Sequence, residues 1–124
     1  MKRLALILLL VSVPLAIASG QQPAKQTTIT GEVIDILNYV ANGVKPDNPD
    51  RKALAESSVK AGNPIGILER KTGKIYVVVM NNQGVSAASA LIPYFGLKIF
   101  AVGRTMRKGG IQMFVLSDIG KSVK

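Results

Sequence analysis

The sequence has no cysteine, no histidine and no tryptophan, and aromatic residues make up only 5% of it. Without thiols and imidazoles the chain has no disulfide, no thiol nucleophile and no imidazole base, and it lacks nearly every ligand set that holds zinc, copper or haem. We therefore expect no metal centre, no cofactor and no enzymatic activity. The absence of cysteine leaves the redox compartment open, because a cysteine-free chain is stable in either.

Acidic residues are scarce as well. The chain has 7 Asp and Glu against 16 Lys and Arg, which gives a formal net charge of +9. Such an excess favours anionic partners, among them nucleic acid, lipid headgroups and acidic cell-wall polymers. The alternative is a soluble basic protein that has no fixed partner.

Apolar residues, by contrast, are abundant: 48% of the 124 residues are hydrophobic and 19% are charged. This composition excludes a disordered polyelectrolyte and fits a compact core. The length allows at most one ordinary domain.

The N-terminus has the layout of a secretory signal peptide over residues 1–20. Two basic residues precede the apolar run Leu4–Leu15, and small residues follow it. Cleavage after Ala18 or after Gly20 would leave a periplasmic or secreted chain with a flexible start, residues 21–26. The alternative is a retained anchor, but the apolar stretch is shorter than the roughly 20 residues that span a bilayer. We expect no membrane span after cleavage.

A β-hairpin is predicted in the middle of the chain. Two apolar strands, Ile65–Leu68 and Ile75–Met80, flank a charged turn in which Gly73 can take a positive φ. The second strand is apolar on both faces, so we expect it to be central and covered on both sides.

The first strand is predicted over Thr27–Val40, because this segment is rich in β-branched residues. Gly31 inside it indicates a bulge or a sharp coil of the strand. We expect Glu32 and Asp35 to mark its solvated positions.

Two short helices are predicted from their end signals. The first covers Arg51–Ala61, with Asn48 as N-cap and Pro49 at the first helical position. The second covers Val85–Ile92, with Ser86 near its N-cap. The first should lie on the surface of the domain, because its apolar content is thin.

The C-terminal third predicts a fourth strand, a basic turn, a fifth strand and a tail, over Gly96–Gly103, Arg104–Gly110, Ile111–Leu116 and Ser117–Lys124. This order indicates a mainly β fold: a five-stranded OB-like barrel with one helix inserted between strands one and two and another between strands three and four. The domain would cover residues 27–120 and leave a basic tail, residues 121–124. An SH3-like barrel or a small β-sandwich is the alternative, because five strands do not fix closure.

Several short motifs resemble those of a family of small exported bacterial proteins with an OB-like fold and no characterised function. The matching segments are Thr30–Asp35, Gly62–Leu68, Gly73–Tyr76, Tyr94–Gly96 and Ala101–Gly103. The resemblance implies a metal or redox centre built on cysteines, one before the tyrosine that ends strand one and two in the inserted helix. This chain has Asn38, Leu54 and Ser58 at those positions. We therefore do not expect it to have that centre.

Three groups of side chains could support acid–base or nucleophilic catalysis, and each has a simpler explanation. They are Ser57 or Ser58 with Lys60, Glu32 with Asp35, and Asp47 with Asp50. The serine–lysine spacing arises by chance on an amphipathic helix. The two carboxylates of the first strand are three residues apart and so lie on opposite faces. Those at the helix start are explained by capping and by the helix dipole.

The most prominent candidate surface is the basic turn. It contains Arg104, Arg107 and Lys108, which Lys98 would extend, and Tyr76 lies on a strand that faces ligands in OB barrels. A solvated hairpin tip with protective charges is the simpler interpretation. Nucleic acid is disfavoured, because few aromatic residues are present for base stacking and because the chain is predicted to be exported.

Together these observations predict an exported, non-enzymatic binding domain that contacts an envelope protein or an anionic polymer through a basic rim: Tyr76, Arg104, Arg107 and Lys108. The alternative is an accessory subunit of an envelope complex that docks through an apolar outer face with Val78 and Met80. The sequence leaves the ligand and the oligomeric state open.

Overall fold

The computed structural model describes residues 25–82 and 84–123. The predicted leader, with both of its cleavage positions, lies outside these residues, as do residues 21–24 of the predicted flexible segment and residue 124 of the predicted tail. No helix in the described part of the chain is long and apolar enough to cross a membrane.

The described residues form five strands, three short helices and one 3₁₀ turn. In chain order they are β1 (Thr27–Asp35), α1 (Ile36–Asn42), α2 (Pro49–Lys60), β2 (Ile65–Glu69), β3 (Ile75–Met80), α3 (Ala87–Leu91), the 3₁₀ turn (Ile92–Tyr94), β4 (Lys98–Lys108) and β5 (Ile111–Lys121). The fold is therefore mixed α/β, whereas the sequence predicted a mainly β chain with two helices.

The strands form one sheet whose hydrogen bonds close in a ring. The order around the ring is β1-β2-β3-β5-β4, and β4 returns to β1. All neighbours are antiparallel except β3 and β5, which run parallel from the Val77–Met113 pair to the Met80–Leu116 pair. The closure needs pairing on both edges of β1, which bonds to β2 from Gly31 on and to β4 from Thr27 on.

The core fills the inside of the ring. Val33, Ile67, Ile99 and Phe114 are completely buried there, one from each of four strands. The helices add apolar side chains to the same cluster: Ala55 and Val59 from α2 and Leu91 from α3.

The first predicted strand is wrong beyond Asp35, where the chain turns into α1. The Asp35 carboxylate accepts hydrogen bonds from the backbone N–H of Leu37, at 3.2 Å, and from the Asn38 side chain. Gly43 ends the helix in a left-handed conformation with φ 67°. These two caps outweigh the strand preference of the β-branched residues between them. The prediction that Asp35 is solvated is also wrong, because its exposed fraction is 1%.

The last two strands are longer than predicted. Arg104–Gly110 is not a turn: β4 continues to Lys108, and only Gly109 and Gly110 turn, both with positive φ. The predicted tail is also strand up to Lys121, because β5 pairs there with the start of β4. A register shift between Val102 and Gly103 allows both halves of this long pair to form.

Both helices that the sequence predicted are confirmed. Asn48 caps α2 by accepting from the Arg51 N–H at 2.9 Å, and Ser86 caps α3 by accepting from the Ser89 N–H at 3.0 Å. α3 ends at Leu91, where the 3₁₀ turn takes over. Leu54 of α2 remains half exposed, which agrees with a shallow apolar stripe.

The hairpin β2–β3 is confirmed as well, but β3 is covered on one face only. Tyr76 and Val78 are buried inside the ring, while Ile75, Val77 and Val79 on the other face are partly exposed. Because Val78 points inward and Met80 packs against the core, the apolar outer face expected at these two residues is not there.

Gly31 marks a close approach of two strands and not a bulge. A Cβ atom there would overlap the Leu68 carbonyl oxygen and would lie 2.9 Å from the carbonyl carbon. No register shift is found in either pairing of β1. The glycine is needed because the neighbouring backbone occupies the space of a side chain.

We predict that Gly31→Ala lowers the free energy of unfolding by about 2–4 kcal/mol, because the backbone of β2 must move to admit the methyl group. Gly73→Ala is the control: its surroundings are open and only its φ of 71° opposes a side chain, so about 1 kcal/mol is expected. Urea unfolding of both variants measures the difference. Equal losses would show that steric overlap at Gly31 is unimportant.

Candidate binding surface

The end of the β4–β5 hairpin projects beyond the ring as a two-stranded ribbon, which we define as residues 104–112. The β1–β4 pairing ends at Thr27 and Gly103, and the β3–β5 pairing begins only at Val77 and Met113. Between these limits the two strands pair solely with each other within the described residues. The ribbon contains all three predicted cationic site residues.

The two faces of the ribbon divide these cations. Side chains alternate along a strand, and in β4 the inward row is Ile99, Ala101 and Gly103. Thr105 and Arg107 continue that row, while Arg104 and Lys108 point to the other face together with Met106. The structure therefore does not bring the three cations into one patch. Lys98 is six residues from Arg104 along β4, roughly 20 Å away, and does not join them.

No acidic residue lies between Glu69 and Asp118 in the sequence. The ion pairs of the described residues are Lys45–Glu32 at 2.9 Å, Arg51–Asp47 at 3.0 Å and Lys60–Glu56 at 2.5 Å. None of them includes a ribbon residue, so Arg104, Arg107 and Lys108 keep an uncompensated positive charge within that part of the chain.

The turn between β2 and β3 adds to this charge. It contains Lys71 and Lys74, both exposed. Because β3 and β5 run parallel from the Val77–Met113 pair, the segments that precede them lie at the same end of the ring. This end therefore combines the cations of the ribbon with the basic β2–β3 turn, and Glu69 is an acidic neighbour.

A hollow of about 210 Å³ lies at the base of the ribbon. Its lining residues are Tyr76, Thr105, Met106, Arg107 and Gln112. The hollow thus brings Tyr76 and Arg107 together, as the sequence predicted, while Arg104 and Lys108 are not part of its lining.

Tyr76 offers a ligand less ring surface than an exposed tyrosine would. Its exposed fraction is 7%, and its ring packs edge-on against Phe114 with 6.1 Å between the centroids. Burial raises the pKa of Tyr76; the charge of Glu69 also raises it, and Arg107 lowers it. The phenol therefore stays protonated at neutral pH. A buried ring cannot serve as a stacking platform, so only the edge that lines the hollow is available.

Gln112 is the residue of the hollow that the sequence did not single out. It lies directly opposite Arg107 in the ribbon, and its side-chain oxygen is buried without a hydrogen-bond partner in the described part of the protein. A buried acceptor without a partner is unfavourable. The alternation of side chains along Ile111–Phe114 could have predicted that Gln112 lies on the inner face. The lack of a hydrogen-bond partner for its side-chain oxygen cannot be read from the sequence.

The carboxylates considered for acid–base work have other partners in the structure. Asp35 is engaged at the start of α1, and Glu32 bonds instead to Lys45. This hydrogen bond raises the pKa of Lys45, against an opposing effect of desolvation. Asp47 pairs with Arg51 on the surface. The residues described include no group of three acidic side chains that could hold a metal ion.

The serine and lysine considered for catalysis are also bonded to other residues and not to each other. The Ser58 hydroxyl accepts a hydrogen bond from Asn63 at 3.1 Å, and Lys60 pairs with Glu56. Lys60 and Glu56 line an open groove of about 610 Å³ between α2 and α3, which Ser86 and Ser89 also line. The Ser86 hydroxyl caps α3 and bonds to Ser89 at 2.8 Å.

Two of the three positions at which the resemblance implies cysteine have hydrogen bonds within the fold. Asn38 donates a hydrogen bond to Asp35, and Ser58 accepts one from Asn63. Leu54 is 49% exposed on α2. None of the three side chains is a thiolate.

We predict that Asp35→Ala lowers the free energy of unfolding by about 1–3 kcal/mol, because the cap of α1 is lost and the Asn38 amide loses its partner. Asp47→Ala is the matched control, because its ion pair with Arg51 is exposed and should be worth less than about 0.5 kcal/mol. Chemical unfolding at neutral pH measures both. A loss for Asp35→Ala no larger than that for Asp47→Ala contradicts the capping role.

We also predict that Gln112→Met leaves the free energy of unfolding unchanged or raises it by up to about 1 kcal/mol. The substitution keeps the shape of the side chain and removes a buried oxygen that has no partner. Thermal unfolding of the variant and of the parent protein checks this. A clear loss of stability would mean that the amide is satisfied after all.

Comparison of the chain with protein-family models, with curated proteins and with solved structures found no match. The ribbon and the hollow at its base therefore have to be interpreted from their own chemistry.

Proposed function

We propose that the chain is an exported, non-enzymatic binding domain with an OB-like fold, and that it contacts an anionic partner in the cell envelope through the ribbon. The observation that carries the proposal is the uncompensated charge of Arg104, Arg107 and Lys108 in a region without acidic residues. Positive surface of this kind attracts anionic partners and speeds their association.

The order of the strands supports the OB-like part of the proposal. OB-type barrels have five strands and bind extended ligands across the sheet and its loops. Here β1, β2 and β3 follow one another around the ring, β4 closes onto β1, and α3 lies between β3 and β4. The resemblance to small exported OB-like proteins supports the same interpretation.

Export is supported by the order of charge, apolar run and small residues over residues 1–20. An envelope location offers polymers and proteins with dense negative charge and makes nucleic acid a less suitable partner. It also leaves the ribbon accessible to such partners on the mature chain.

A binding role is favoured over catalysis by the hydrogen bonds of the candidate groups. The carboxylates Glu32, Asp35 and Asp47 and the Ser58 hydroxyl all have partners within the fold. The accessory-subunit alternative is less well supported at the residues expected for it, because Val78 is part of the core.

We predict that a triple variant of the ribbon, Arg104→Ala, Arg107→Ala and Lys108→Ala, binds envelope material more weakly and with less dependence on salt. Removal of three charges reduces the electrostatic part of binding, which salt screens. The measurement is the salt concentration at which an envelope extract elutes from the immobilised mature protein.

The matched control removes three exposed lysines elsewhere: Lys25→Ala, Lys52→Ala and Lys121→Ala. The net charge is then the same in both triple variants. Elution of the control should stay close to that of the parent protein. If both triple variants elute alike, net charge alone determines retention and the ribbon is not the binding surface.

A further inference from the structure

The ribbon has an extended backbone edge with no strand partner in the described residues. Up to Gly103 the outer edge of β4 is paired with β1, and from Arg104 on that partner is missing. An unpaired strand edge presents N–H and C=O groups that can accept another strand.

The turn geometry shows which backbone groups point to this edge. Gly109 and Gly110 have φ of 59° and 79°, as in a two-residue hairpin turn of type I′. The residues that flank such a turn, Lys108 and Ile111, form a hydrogen-bonded pair, and the bonding direction alternates along the strand. The backbone groups of Thr105 and Arg107 therefore point away from β5, to the open edge.

The side chains along the edge favour negatively charged neighbours. Arg104, Met106 and Lys108 share one face at alternate positions, so an apolar residue lies between two cations. A strand added beside β4 would place its own alternate side chains opposite them. The complementary pattern is an acidic residue, an apolar residue and a second acidic residue at every other position.

The same charges disfavour two other occupants. A second copy of the ribbon, paired antiparallel, would place Arg104 near Lys108 of that copy, and like charges across a strand pair are destabilising. Backward continuation of β1 would bring Lys25 opposite Thr105, which again adds a cation. β1 begins at Thr27, after Lys25 and Gln26.

We propose that the β4 edge from Arg104 to Lys108 binds an extended acidic peptide segment of another protein by strand addition. This inference rests on the proposed binding function and specifies its partner and mode. Main-chain hydrogen bonds to Thr105 and Arg107 supply part of the affinity. Carboxylates opposite Arg104 and Lys108, with an apolar side chain opposite Met106, give the selectivity.

The probe is a short peptide with capped ends, Thr-Glu-Thr-Val-Thr-Glu-Thr, and the control peptide has lysine in place of glutamate. Binding is measured by titration, and amide hydrogen exchange is followed by NMR on the mature protein. The N–H groups of Thr105 and Arg107 should exchange rapidly in the free protein. The acidic peptide should slow both, and the lysine peptide should slow neither.

A proline variant tests the backbone contact by itself. Thr105→Pro removes an N–H that points to the open edge and leaves the bonds to β5 intact, and proline is tolerated on edge strands. We expect it to weaken peptide binding roughly five- to tenfold, the effect of one lost hydrogen bond. Thr105→Val keeps the N–H and should bind like the parent protein. Circular dichroism checks that both variants are folded. N-methylation of the peptide at alternate residues removes N–H groups from the peptide and so repeats the test on the peptide side.

Three results would overturn strand addition. The first is an acidic peptide that binds without protecting the Thr105 and Arg107 amides, or that does not bind. The second is Thr105→Pro binding as well as Thr105→Val. The third is protection of both amides without peptide. If this protection depends on protein concentration, the edge is occupied by a second copy. If it does not, the edge is occupied by the chain's own N-terminal segment. In each case, salt-sensitive retention that depends on the ribbon cations would still support the proposed function.

Discussion

Pairing on both edges of β1 is the interaction on which the structure depends. Gly31 and Glu32 pair with β2 on one side and with β4 on the other, and this double pairing turns a five-stranded sheet into a ring. It requires a close approach that only a residue without a side chain allows, which explains the glycine in the middle of the strand. The apolar side chains of all five strands then meet in one core.

Closure also determines where the molecule can interact. Within the described residues, the ring pairs most strand edges with one another, and the ribbon extends beyond the last partner of β4. The same segment has three cations in a region of the sequence without carboxylates. Positive charge on an edge prevents pairing between identical chains and at the same time favours an acidic partner. Protection against self-association is therefore compatible with the binding role that we propose for the same residues.

Much of the fold could be predicted from local signals. The caps of α2 and α3 and the β2–β3 hairpin follow from Asn48, Pro49, Ser86 and Gly73. The prediction failed where two local signals competed. Ile34, Ile36 and Val40 favour a strand, but Asp35 and Gly43 are a matched pair of helix ends, and the caps prevail because a buried carboxylate needs donors.

The candidate surface could be predicted in composition but not in geometry. The cations and Tyr76 were visible as residues, and the alternation on both sides of Gly109–Gly110 indicates a hairpin with a two-residue turn. The division of the cations between two faces follows from alternation once β4 is known to continue to Lys108. The burial of Tyr76 and the orphaned oxygen of Gln112 depend on the parallel β3–β5 pairing. That pairing joins distant parts of the chain, and no local pattern specifies it.

The pairing of Thr27 with Gly103 has a consequence for how the protein reaches its final form. The two strands that complete the ring are far apart in the sequence, so the first strand has to wait for the fourth before its second edge is covered. Folds dominated by such distant contacts form slowly. During that interval a β-rich edge lies open, and this is when the chain is most exposed to association with others.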